Sequence, residues 1–141
     1  MKHHVHQTRN ILLIDDDEDD CLLLIQALTK LSEQMSLICL SDADRLWEVL
    51  EDCKPCMIVI DLYLPKRNGI EILKMVKDHP GYKDIPVVIW STSSIIKNVN
   101  TAYSTGAQLY LEKPFDYKGM VAASQKIIRM TALREEQTLL F

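Results

Sequence analysis

The chain has 141 residues, 48% hydrophobic and 26% charged, with a net charge of -4. That is enough for one globular domain with its own core, and the composition excludes a disordered or fibrous chain. The mild acidity argues against a basic nucleic-acid surface, and no apolar run reaches the roughly 20 residues of a membrane span.

Short apolar runs alternate with longer amphipathic stretches. Strands are predicted at 11–14, 36–40, 57–60, 85–90 and 109–111, and helices at 19–32, 43–52, 69–78, 95–105 and 116–132. Leu22, Ile25 and Leu28, and likewise Leu24, Leu28 and Leu31, recur at helical spacing in the first helix. Asp42, Asn68 and Asp116 stand where side-chain caps would open helices two, three and five. Five strand–helix units imply an α/β fold, a doubly wound parallel sheet with helices on both faces and right-handed crossovers. The expected order is 2-1-3-4-5, a flavodoxin-like (βα)5 arrangement. Its first and third strands meet at the switch point, where such sheets bind ligands.

Both of those strands end in acid. Ile11–Ile14 runs into Asp15 and Asp16, and Met57–Ile60 into Asp61, while the fifth strand leads to Lys113. Carboxylates gathered at one crevice repel one another, and a bound Mg²⁺ relieves that cost. An aspartate beside the metal is a competent nucleophile toward phosphorus, and a lysine can neutralise part of the phosphoryl charge. In the acid run Asp15–Asp20, Asp19 and Asp20 are read as facing the positive end of helix one. An EF-hand loop starting at Asp15 would need Gly at its sixth position and Glu at its twelfth, where the chain has Asp20 and Gln26. A haloacid-dehalogenase-type phosphatase would follow its Asp-x-Asp pair with a small or β-branched residue, not Glu18, and would leave Asp61 without a task.

The four cysteines, Cys21, Cys39, Cys53 and Cys56, do not form a disulfide framework by their spacing. Cys53-Lys54-Pro55-Cys56 lies between a helix and a strand, whereas a redox pair would open a helix. His3, His4 and His6 are assigned to a frayed terminus.

Taken together, Ile14-Asp15-Asp16, Ile60-Asp61-Leu62-Tyr63-Leu64-Pro65 with Gly69, Trp90-Ser91-Thr92 and Lys113-Pro114-Phe115 resemble the receiver domain of two-component response regulators. The resemblance covers about 9–133, leaving 1–8 as a flexible N-terminus and 134–141 as a C-terminal tail. It implies that Asp61 accepts a phosphoryl group from a histidine kinase or a histidine phosphotransfer protein. It further implies Mg²⁺ held by Asp15, Asp16, Asp61 and the backbone carbonyl of Tyr63. Ser91 would turn to bond the phosphoryl group, and Lys113 would bind another phosphoryl oxygen, with a cis bond to Pro114. Tyr110 would be the aromatic switch that follows Ser91, altering a partner face of helix four, strand five and helix five.

Tyr63 and Thr92 depart from the family's commoner small or polar residues, and are expected to restrict the attacking water. On this reading the chain is a cytoplasmic single-domain regulator, monomeric or dimerising on phosphorylation. It controls a downstream protein target without contacting nucleic acid or membrane, and is a signalling domain rather than an enzyme on outside substrates. The alternatives are an aspartyl-phosphate phosphatase, for which the chain has no room for a cap insertion, and a pseudo-receiver that only binds partners. The second would lack one of the key residues, and none is missing.

Overall fold

In the computed structural model, which describes residues 9–139, strands and helices alternate five times. Strands β1 (Arg9–Ile14), β2 (Met35–Leu40), β3 (Met57–Asp61), β4 (Val87–Ser91) and β5 (Leu109–Glu112) form one sheet in the order β2-β1-β3-β4-β5. All four pairings are parallel. Helices α1 (Glu18–Leu31), α2 (Leu46–Cys53), α3 (Gly69–Asp78), α4 (Ile96–Thr105) and α5 (Tyr117–Leu139) connect or follow the strands. The histidines at positions 3, 4 and 6 and the N-terminal segment 1–8 lie outside the described residues. Helix α5 continues to Leu139, through most of the segment read from sequence as a tail.

Side chains alternate across a strand, so each strand feeds two cores. Leu12, Ile14, Ile58 and Ile60 pack with Leu50 of α2, Ile72, Leu73 and Val76 of α3 and Ala102 of α4. Ile11, Leu13, Met57 and Val59 pack with Leu24, Ala27 and Leu28 of α1 and Met120, Ala123 and Ile127 of α5. Ile11–Ile14, Met57–Ile60 and Val87–Trp90 are apolar at every position because both faces of the sheet are covered there. Of the two stripes read on α1, the one through Leu24 and Leu28 is buried, while Leu22 stays exposed.

Four local expectations are corrected. Helix α2 begins at Leu46 rather than 43, and Asp42 does not cap it: its carboxylate accepts the Asp44 N–H in a preceding turn. Strand β4 starts after Pro86, which has no N–H to donate. The peptide bonds of the described residues are all trans, so the Lys113–Pro114 bond is not cis; trans is the lower-energy form even for X–Pro. Cys21 and Cys39 form a disulfide. Helix α1 packs against β2, which brings two residues 18 apart in sequence to a Cα separation of 6.5 Å. Cys53 and Cys56 remain thiols, and burial pushes the Cys53 thiol up, opposite to what a reactive redox cysteine needs. Asn68 caps α3 by accepting the Ile70 N–H, as expected, and Asp116 accepts the Gly119 N–H at the start of α5.

Candidate metal and phosphoryl site

Strand register builds the site. Ile14 is opposite Ile60, so the next residues, Asp15 and Asp61, emerge side by side from β1 and β3. Asp61 is opposite Trp90, and Ser91 is opposite Glu112, which places Ser91 and Lys113 at the same edge. One oxygen from each of Asp15, Asp16 and Asp61 lies within 4.8 Å of the others. Asp15 and Asp61 are buried, whereas Asp16 is exposed.

The acid run is ordered by its own backbone. Asp15 accepts the Asp17 N–H at 2.9 Å, and Asp17 caps α1 by accepting the Asp19 N–H at 2.9 Å. On the other side of the crevice, Asp61 accepts the Tyr63 N–H at 3.2 Å. The loop after β3 turns back tightly, with the Gly69 N–H donating to the Leu62 carbonyl. A Cβ at position 69 would collide with the Asp61 carbonyl oxygen, so this close approach requires glycine.

Lys113 closes the crevice. Its Nζ lies 2.8 Å from Asp20 Oδ2, 2.9 Å from Asp15 Oδ2 and 3.1 Å from Asp61 Oδ2. The contacts to Asp20 and Asp61 are aligned hydrogen bonds. The contact to Asp15 is an ion pair only, which leaves the buried Oδ2 without an aligned donor. The ammonium also sits 5.4 Å from the centre of the Trp90 ring, in the core beneath.

These contacts set the charge states. Burial pushes the Asp15 carboxyl up to about 6, against the opposing pull of the Asp17 N–H and Lys113. Burial likewise raises Asp61, again opposed chiefly by Lys113. Burial acts to lower the Lys113 ammonium, but its contacts with Asp20 and Asp15 and the charges of Asp15 and Asp61 outweigh it, leaving it above the ordinary lysine value. One ammonium thus faces Asp15, Asp20 and Asp61, with Asp16 close by. A buried carboxylate oxygen without an aligned donor and two carboxyls displaced upward are what a divalent cation would relieve, so the donor set fits Mg²⁺ or a similar hard ion.

The remaining residues singled out from sequence lie around this centre without joining it. Ser91 is fully buried, and its Oγ accepts the Ser93 N–H at 3.1 Å rather than meeting Asp61. Tyr110 donates its hydroxyl to the Ser93 carbonyl, so it already reaches into the β4–α4 loop while Ser91 is held by that same loop. Tyr63 turns its ring outward, its hydroxyl accepting from Asn98 Nδ2 of α4 at 3.1 Å, and Thr92 is exposed. Tyr103 of α4 accepts the Tyr110 N–H at 3.0 Å. Sequence reasoning missed Asp20. It stands in the first turn of α1, as assigned, and from there it also bonds Lys113, a contact that no sequence signal marked.

A doubly wound sheet with acids and a lysine at its switch point defines a flavodoxin-like signalling domain of the two-component type. The model of the response regulator receiver domain family matches residues 11–125. The chain therefore belongs to the response regulator receiver family. It is 32% identical to response regulator Rcp1 of Synechocystis sp., covering 83% of this chain and 84% of that protein. It also matches longer proteins, spanning 19% of Protein RcaC of Microchaete diplosiphon and 26% of the transcriptional regulator NtrC of Proteus hauseri. The structure of Mn²⁺-bound Rcp1 superposes with a TM-score of 0.72 at 32% identity, over 84% of this chain and 91% of that one. The phosphorylated cyanobacterial phytochrome response regulator RcpA does so with 0.77 at 26% identity, over 84% and 90%. Receiver domains bind a divalent metal through such an acidic pocket, are phosphorylated by histidine kinases and act on downstream partners. Among the described residues no helix is long and apolar enough to cross a membrane.

Proposed function

We propose that the chain is a response regulator receiver whose Asp61 accepts a phosphoryl group from a histidine kinase or a histidine phosphotransfer protein. The observation that carries this reading is the Lys113 ammonium held between Asp15 and Asp61 beside the exposed carboxylate of Asp16. The likeness to Mn²⁺-bound Rcp1 and to phosphorylated RcpA supports it.

Asp15, Asp16, Asp61 and the Tyr63 carbonyl would hold Mg²⁺, which when bound neutralises charge on the transferring phosphoryl group. An Asp61 oxygen forms the new bond to phosphorus as the bond from phosphorus to the donor's imidazole nitrogen breaks, and that nitrogen keeps the electron pair. Lys113 moves from the Asp61 carboxylate to a phosphoryl oxygen. Ser91 exchanges the Ser93 N–H for another phosphoryl oxygen. Freed in this way, the loop carrying Ser93 shifts with Tyr110, and the α4–β5–α5 face changes its population for a protein partner. Tyr63 and Thr92 limit water access to the phosphoryl group; the phosphorylated lifetime of a Tyr63→Asn, Thr92→Ala variant, expected to be shorter, tests that point.

The direct experiment treats the protein with Mg²⁺ and a small acyl phosphate and reads the intact mass. A single added phosphoryl group is expected, absent in Asp61→Asn and without the metal. An unmodified parent protein would leave only a partner-binding role, and steady turnover of unrelated phosphoesters would favour a phosphatase.

A further inference from the structure

We propose that Asp20 is a positioning residue for Lys113: the fixed pivot on which the ammonium turns between the Asp61 carboxylate and the phosphoryl group. The inference rests on the phosphoacceptor reading above and adds to it a residue outside the metal cluster.

Lys113 has three N–H donors and three carboxylate neighbours. Their roles differ. Asp61 is the group that reacts, and Asp15 belongs to the carboxylates gathered around the metal position. Asp20 does neither, yet it makes the shortest contact, an aligned hydrogen bond of 2.8 Å from a side chain that is 19% exposed. It approaches from α1, across 93 residues of sequence, so it holds the ammonium from a direction that β5 does not supply.

Asp20 shares the end of α1 with a cap and two other acids. Asp17 caps the helix, and Glu18 and Asp19 already place exposed acids in its first turn. When the Asp61 oxygen becomes bonded to phosphorus it is a poorer acceptor, and Lys113 releases it. A charge-assisted bond to Asp20 keeps the ammonium within the crevice during that exchange. Without it the flexible lysine stem samples other rotamers and must be reordered each time.

The test is a double-mutant cycle of Asp20→Asn and Lys113→Met with two readouts. The first is the initial rate of phosphorylation by an acyl phosphate at saturating Mg²⁺. The second needs no phosphorylation: the emission of Trp90, over whose ring the ammonium lies, in a Trp47→Phe background that leaves it the only indole. Asp20→Asn is expected to slow phosphorylation roughly tenfold. It is also expected to shift Trp90 emission, and the shift should vanish when Lys113 is already Met, because the two residues act as one unit. An Asp20→Asn rate equal to or above the parent's would overturn the inference, as would emission changes that simply add. If the parent itself takes no phosphoryl group, the phosphoacceptor reading has failed, a result distinct from either of these.

Discussion

Lys66 and Lys113 make the same kind of contact in two different settings. Lys66 lies 2.6 Å from Asp44 and 3.7 Å from Asp42, with 62% of its side chain exposed. Lys113 lies 2.8 to 3.1 Å from three aspartates, with 9% exposed. Distance does not separate them; solvent does. Around Lys66 water and salt screen the charges, and the pairing lowers Asp44 as any exposed ion pair would. Around Lys113 the carboxylates have lost water without gaining enough partners, so Asp15 and Asp61 are pushed up instead. The same ion pairing shifts carboxylates in opposite directions according to whether desolvation exceeds compensation.

The sharpest way to break this contrast is to remove each ammonium. Lys113→Met leaves buried carboxylates with no counter-charge and is expected to cost on the order of 3–5 kcal/mol at pH 7.5 without metal, read from chemical denaturation. The second prediction concerns pH. Asp15 titrates near 3.8 when unfolded and about 6 in the fold. Below 3.8 it is protonated in both states and imposes no penalty. Between 3.8 and about 6 the folded protein holds a proton that the unfolded chain has released, so stability falls as pH rises. Above about 6 the penalty is complete, at about 3 kcal/mol. Asp15→Asn should therefore be more stable than the parent by up to about 3 kcal/mol at pH 7.5, and no more stable at pH 3.5. Equal pH profiles for the two proteins would show that Asp15 carries no such penalty.

A third prediction asks how far the crevice depends on its backbone. Gly69→Ala forces the Asp61 carbonyl away and is expected to destabilise the fold by roughly 1–3 kcal/mol. It should also weaken Mg²⁺ binding measured by calorimetry, because Asp61 is displaced. The smallest effect is reserved for the exposed partner of the comparison: Lys66→Met should leave the denaturation midpoint unchanged. A loss comparable to that of Lys113→Met would remove the distinction drawn between them.

Much of the fold was legible because the buried stretches of the central strands are apolar and the strand ends carry the charges. Ile11–Ile14 and Met57–Ile60 are fully buried, and the acids that follow them could only emerge together once the order was settled. What stayed hidden depends on how elements pack across space. The start of α2 was misplaced because Asp42 spends its carboxylate on a turn. The Cys21–Cys39 bond requires the seating of α1 against β2, which spacing does not encode. Asp20 sits in the first turn of α1 as read, but its bond to Lys113 stayed hidden because it depends on how α1 packs, whereas facing the helix end is a purely local property. Likewise the tie between Tyr63 and Asn98 joins the loop after β3 to α4, which no motif links.

The disulfide has one consequence beyond holding α1 to β2. Cys21 is the residue immediately after Asp20. The covalent bond therefore restricts the very turn of helix that presents Asp20 to the ammonium. The bond ties that turn to β2 and so opposes fraying of the start of α1.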